Sequence, residues 1–126
     1  FPLAHFQENG VEKKDAIEDD TAVAVNLKGK GLIVISGCAH AGIVNTVCYA
    51  RELTGIDRVH AVMGGFHLSG AIFEPIIGRT TEELKRIDPA YIIPTHCTGR
   101  KAAIHIETEM PRQFILNMSG TKLTFT

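Results

Sequence analysis

GLIVISGCAHAG, residues Gly31 to Gly42, carries an uninterrupted apolar run into a loop of small residues that holds Cys38 and His40. Leu32-Ile33-Val34-Ile35 lacks the polar alternation of a half-exposed strand and reads as a strand covered on both faces. In α/β proteins the polar groups at the end of such a strand are where ligands bind. Upstream, TAVAVNL (Thr21 to Leu27) is rich in β-formers, and Lys28-Gly29-Lys30-Gly31 supplies a turn. Together they predict a β-hairpin of Thr21–Leu27 with Leu32–Ser36.

Downstream, Ile43, Val44, Val47, Cys48 and Ala50 share a helical face that closes at Gly55, which places Cys48 in the core. Val59 to Met63 is a short strand broken by Gly64-Gly65, and Thr80-x-x-Glu83 has the form of a capping box opening a helix that Asp88-Pro89 stops. Tyr91-Ile92-Ile93 is a buried strand ended by Pro94. Arg100 to Glu109 is a helix with Ala103, Ile106 and Met110 on one face, ended by Pro111. Phe114–Met118 and Lys122–Phe125 flank Ser119-Gly120 as a final strand or hairpin. The first twenty residues are polar and turn-containing, and read as a connector or loop. The organisation expected is one α/β domain over residues 1–126, with a β-hairpin followed by strand-loop-helix units.

The composition excludes several function classes. Thirteen Lys and Arg balance fourteen Asp and Glu in 126 residues, for a net charge of −1. Such an interspersed surface lacks the basic footprint of a nucleic-acid binder. No apolar run approaches the ~18–20 residues of a membrane span. Three cysteines without a signal-peptide pattern suit free thiols in a reducing, cytoplasmic setting. Phe1 opens on a segment without periodicity, so the chain reads as one that begins partway through a fold.

Three strand ends carry a histidine between glycines or prolines: His40 in SGCAHAG, His67 in GGFHLSG and His96 in PTHCTG. Any one of them alone is more readily a structural or surface residue. Their shared context favours a metal site, because adjacent strands deliver their ends to one edge of a sheet and imidazole is the commonest metal ligand. His5, His60 and His105 lack that context and read as structural or solvated. Two other readings stay open. Cys38, His40, His96 and Cys97 form a Cys₂His₂ set, although the long gap between the pairs is unlike compact zinc modules. Cys38 ahead of a helix also suits a Cys-His nucleophile.

DDTAVAV, GLIVISGCAHAGIVNTV, VMGGFHL and PTHCTG, in that order, resemble the C-terminal half of the metallo-β-lactamase superfamily. The subgroup most similar is that of the 7,8-dihydropterin-6-methyl-4-(β-D-ribofuranosyl)-aminobenzene-5′-phosphate synthase-like metal-dependent hydrolases. The resemblance implies half of an αββα sandwich with a dinuclear metal centre, usually zinc, with manganese, iron or magnesium as alternatives. It implies a hydrolase-type reaction through metal-activated water on a small phosphorylated or pterin-related substrate. His96 corresponds to the final histidine ligand. At the GCAH segment His40 is favoured over Cys38 as ligand, and His67 is assigned a substrate-contacting or acid/base role. The family's His-x-His-x-Asp-His motif does not occur in this sequence. The partners expected are therefore a small molecule and either a missing N-terminal half or a second copy, with neither nucleic acid nor membrane. The alternative function is a non-catalytic binding module with a structural Cys/His metal site.

Overall fold

A computed structural model describes residues 4–126. Its centre is a four-stranded sheet in the order β3-β4-β5-β6, formed by Ala22–Leu27 (β3), Gly31–Ser36 (β4), Val59–Gly64 (β5) and Tyr91–Pro94 (β6). The β3–β4 pair is antiparallel, with Val23 opposite Ile35 and Val25 opposite Ile33, as expected for a hairpin. β4, β5 and β6 are parallel, which requires a crossover between each successive pair. Two helices supply these crossovers, α1 (Ile43–Thr54) between β4 and β5 and α2 (Ile77–Ile87) between β5 and β6, and α3 (Arg100–Glu109) follows β6.

Alternation along the strands sorts their side chains between two faces. Leu32, Val34, Val62 and Ile92 enter a core with Ile43 and Val47 of α1, Ile77 and Leu84 of α2, and Ala102 and Ile106 of α3. This layer follows directly from the 3.6-residue apolar spacing of the helices. The opposite face presents Ile33, Ala61 and Ile93, against which Ile115, Leu123 and Phe125 of the tail pack. Toward the β3 edge that cover ends. Val23 and Val25 are 56% and 47% exposed, and Ile35 is 37% exposed.

Several elements depart from the sequence expectations. The segment 1–20 is not loop throughout, because His5–Glu8 (β1) and Val11–Lys14 (β2) form a separate antiparallel hairpin around Asn9-Gly10. Residues 1–3 of that segment lie outside the described residues. α2 begins at Ile77, ahead of Thr80, because a 3₁₀ turn over Glu74–Ile76 with a proline in its first positions feeds straight into it. The Thr81 hydroxyl donates back to the Ile77 carbonyl at 2.9 Å within the helix. Cys48 is exposed on α1, beyond the buried line of Ile43, Val47 and Ala50. On α3 the buried alanine is Ala102 instead of Ala103.

The tail forms no strand among the described residues. It makes one parallel bridge, Ile92 with Phe114, in which Ile92 N–H donates to Gln113 and Ile115 N–H donates to Ile92. No helix among the described residues is long and apolar enough to cross a membrane.

Candidate metal centre

The loops after β4, β5 and β6 meet at one edge of the sheet. Glycines make that approach close. Gly65 N–H donates to the Gly37 carbonyl at 2.9 Å, and Thr95 N–H donates to the Gly64 carbonyl at 2.8 Å, so the three loops are bonded in series. The Ser36 hydroxyl donates to the Gly65 carbonyl at 2.9 Å. A methyl group at Gly65 would collide with Cys97 Sγ and stand 2.7 Å from both the Gly37 carbonyl oxygen and His96 Nε2. Only a residue without Cβ leaves room there for the side chains that converge on it.

The converging atoms are those of Cys38, His40, His67, His96 and Cys97. Cys38 Sγ lies 3.2 Å from His96 Nε2. The Cys97 thiol points to the Cys38 carbonyl at 3.6 Å. Cys38, His96 and Cys97 each offer one donor atom within 4.8 Å of the others, and so do Cys38, His40 and His67. Cys38 is common to both groups. The His40 and His67 rings stand 4.5 Å apart, centroid to centroid, and Phe73 meets His67 edge-on at 5.1 Å.

The backbone sets these directions. Ala39 has φ of 55° and His67 has φ of 48°, both in the left-handed region that residues with a Cβ rarely occupy. Such strain is typical of functional loops, where the surrounding hydrogen bonds hold it. Around the donors, Asp20 accepts the His40 backbone N–H at 2.6 Å, and its same oxygen lies 3.3 Å from His40 Nδ1. Thr95 Oγ1 lies 2.9 Å from His96 Nδ1. The Thr95 contact leaves His96 Nε2, the nitrogen that faces Cys38, as its available donor. Burial, reinforced by the charge of neighbouring His40, lowers the His67 pKa below its usual 6.5. Burial first, and the adjacent Cys38, push the Cys97 thiol up to about 11.

All three strand-end histidines are thus brought to one edge, and Cys38 with them. The four residues of the Cys₂His₂ reading do not make one group, since His40 gathers with Cys38 and His67 while His96 and Cys97 gather with Cys38. The imidazole within 3.2 Å of Cys38 belongs to His96, not to its sequence neighbour His40. His105 is half-buried on α3 and His5 exposed on β1, and neither belongs to the donor groups. His60 is buried in β5, against Tyr91 and Phe125. Asp20 escaped the sequence reading. Its one signal is a position just before β3, at the same end of the hairpin as the β4 loop.

A cavity of about 450 Å³ opens beside His40 and His67, walled by Phe66, Leu68, Phe73 and Ile76, with Arg79 and Glu83 of α2 also on its lining. Its size and mixed lining suit a small molecule.

No family model matches the chain. Among curated proteins it is 41% identical, over 94% of its length, to the 7,8-dihydropterin-6-methyl-4-(β-D-ribofuranosyl)-aminobenzene-5′-phosphate synthase of Methanocaldococcus jannaschii. It is 38% identical over 81% of its length to an uncharacterized protein of the same organism. The chain spans 40% and 37% of the lengths of these two relatives. Its fold superposes with a TM-score of 0.86 on the crystal structure of a metal-dependent hydrolase of the β-lactamase superfamily, at 30% identity over 97% of this chain and 46% of that one. Sequence and α/β fold lead to one conclusion: over nearly its whole length the chain is similar to proteins of the metallo-β-lactamase superfamily, and it spans less than half the length of the relatives it matches.

Proposed function

We propose that this chain supplies one side of a dinuclear metal centre in an enzyme of the metal-dependent hydrolase type. The observation that carries the reading is the double membership of Cys38, whose sulfur lies within 4.8 Å of two separate sets of donors. A thiolate can bridge two cations, and imidazole and thiolate together suit zinc. His96, His40 and Cys38 are the proposed ligands, with Cys97 and His67 in reach. The sequence preference for His40 over Cys38 gives way to a reading in which both bind. The crowding over Gly65 and the seating of His40 against Asp20 support a built cradle for a cation. A divalent metal there would supply Lewis acidity and a water nucleophile at neutral pH.

The chain's own groups have distinct parts. Asp20 and Thr95 orient His40 and His96. His67, whose pKa burial lowers, lines the cavity beside His40, where it can contact substrate or pass a proton. The apolar wall with Phe73, and Arg79 on the same lining, supports a small substrate that joins a flat ring to an anionic group. The name of the M. jannaschii relative contains both a pterin and a phosphate, and it is the basis for proposing a phosphorylated or pterin-related substrate here.

The remaining ligands are proposed to come from a segment corresponding to the rest of the relatives' length, carried by the same protein or by another chain. The test is metal analysis of the protein together with that segment. His96→Ala should lose metal and activity together, and His105→Ala should alter neither. Unchanged metal content in His96→Ala would overturn the ligand assignment. One tightly held zinc on this chain alone would instead favour the non-catalytic structural site.

A further inference from the structure

We propose that Cys38 and Cys97 are the site of a reversible intrachain disulfide, formed by exchange with a low-molecular-weight disulfide in competition with metal binding. The two residues are 59 positions apart and come from different loops, after β4 and after β6. Their sulfurs nonetheless lie within 4.8 Å of one another. Cys97 Sγ already points at the Cys38 backbone, and Gly65 puts no Cβ where it would press on the Cys97 sulfur. Both thiols are partly exposed, so a small oxidant reaches them.

The exchange balances without a cofactor. Cys38 Sγ attacks one sulfur of RSSR, a Cys38–SR bond forms, and RS⁻ leaves to take up the thiol proton. Cys97 Sγ then attacks the Cys38 sulfur, the second RS⁻ leaves with the second proton, and the pair is oxidised by two electrons. Net, two cysteine thiols and one RSSR become one protein disulfide and two RSH.

The geometry makes this more than a surface lesion. Cys38 belongs to both donor groups and Cys97 to one, so one bond would withdraw two sulfurs from the first group and one from the second. Cys48, exposed on α1, belongs to neither group and is the internal control. The disulfide rests on the loop geometry alone. Its exclusion of metal rests on the ligand reading above.

The intact protein, treated with a chelator and then with oxidised glutathione, is alkylated and mapped by peptide mass. A Cys38–Cys97 cross-linked peptide pair is expected, about 2 Da lighter than the reduced pair and restored by dithiothreitol. Cys48 should be recovered alkylated, and Cys48→Ser should still cross-link. Cys38→Ser and Cys97→Ser should each abolish the link. Recovery of Cys38 and Cys97 as separate glutathione adducts, as alkylated thiols, or joined only to Cys48 would overturn the proposal. In a second arm zinc added before glutathione should suppress the cross-link severalfold. Equal cross-linking with and without zinc would overturn the ligand reading while leaving the disulfide standing.

Discussion

Replacing Gly65 by alanine adds one methyl group at the point where three loops close. The backbone of Gly65 is in a region open to alanine, so the effect comes from space alone. The new carbon would stand 2.7 Å from the Gly37 carbonyl oxygen and from His96 Nε2, and closer still to Cys97 Sγ. The Gly37 oxygen cannot simply withdraw, because it accepts the Gly65 N–H at 2.9 Å. The Gly65 carbonyl is held in turn by Ser36. Relief therefore requires the β4 and β5 loops to separate or the Cys97 and His96 side chains to swing out. Overpacking of this kind costs roughly 1–3 kcal/mol. At a mid-range of about 2 kcal/mol the melting temperature of a domain this size should fall by roughly 6–12 °C.

The same displacement spoils the donor group of Cys38, His96 and Cys97. Urea unfolding and competitive zinc titration against a chromophoric chelator read the two effects separately. Gly78→Ala is the control. Gly78 lies in α2 with open space around its Cβ position, so the change should stabilise the helix by about 0.5–1 kcal/mol and leave zinc affinity alone. A Gly65→Ala protein with unchanged stability and unchanged zinc affinity would refute the argument that the loops are packed around that position.

Two further outcomes are expected. His60 is buried in β5, and burial, with Lys30 and Arg58 adding, lowers its pKa below 6.5. The unfolded chain then binds this proton first, so stability should fall as pH drops from about 6.5 toward the folded-state pKa, and His60→Gln should flatten that slope; parallel melting curves between roughly pH 7.5 and 5 would count against it. The chain should self-associate through Val23, Val25 and Ile35, and Val25→Asp should weaken association about tenfold or more by forfeiting the burial of a valine; a monomer of the unaltered chain in light-scattering chromatography would contradict this.

Most of the frame was legible because its signals are local. The unbroken run Leu32–Ile35, the glycines before and after it, and the prolines after Ile87 and Ile93 mark strand and helix ends by steric rules that no tertiary contact reverses. Where a tertiary choice intervened, the reading slipped. Cys48 sits one residue beyond Val47 at the margin of the apolar stripe, and the margin turned to solvent. The Phe114–Phe125 tail has the composition of strands, yet among the described residues it meets the sheet backbone through a single bridge at Ile92. Thr80 resembled a helix start because the 3₁₀ turn ahead of it is invisible to a capping pattern.

The site divides along the same line. Convergence of His40, His67 and His96 was readable, since parallel strands must bring successive loops to one edge. The sharing of Cys38 between two donor sets depends on left-handed backbone at Ala39 and His67, which is a property of the closed loops and not of their residues. The pairing of Cys38 with His96 in place of His40 has the same origin.

Asp20 gives the entry to β3 a mechanical role. One carboxylate oxygen anchors His40, yet Asp20 is supplied by the segment that leads in from the β1–β2 hairpin. Tension on that lead-in segment is therefore passed to His40 in the neighbouring β4 loop without crossing the sheet. A cleavage or insertion at Ile17–Asp19 would leave every sheet pairing intact and still let His40 drift, so a tag, a linker or a neighbouring chain attached upstream acts on the site as a tether whose slack matters.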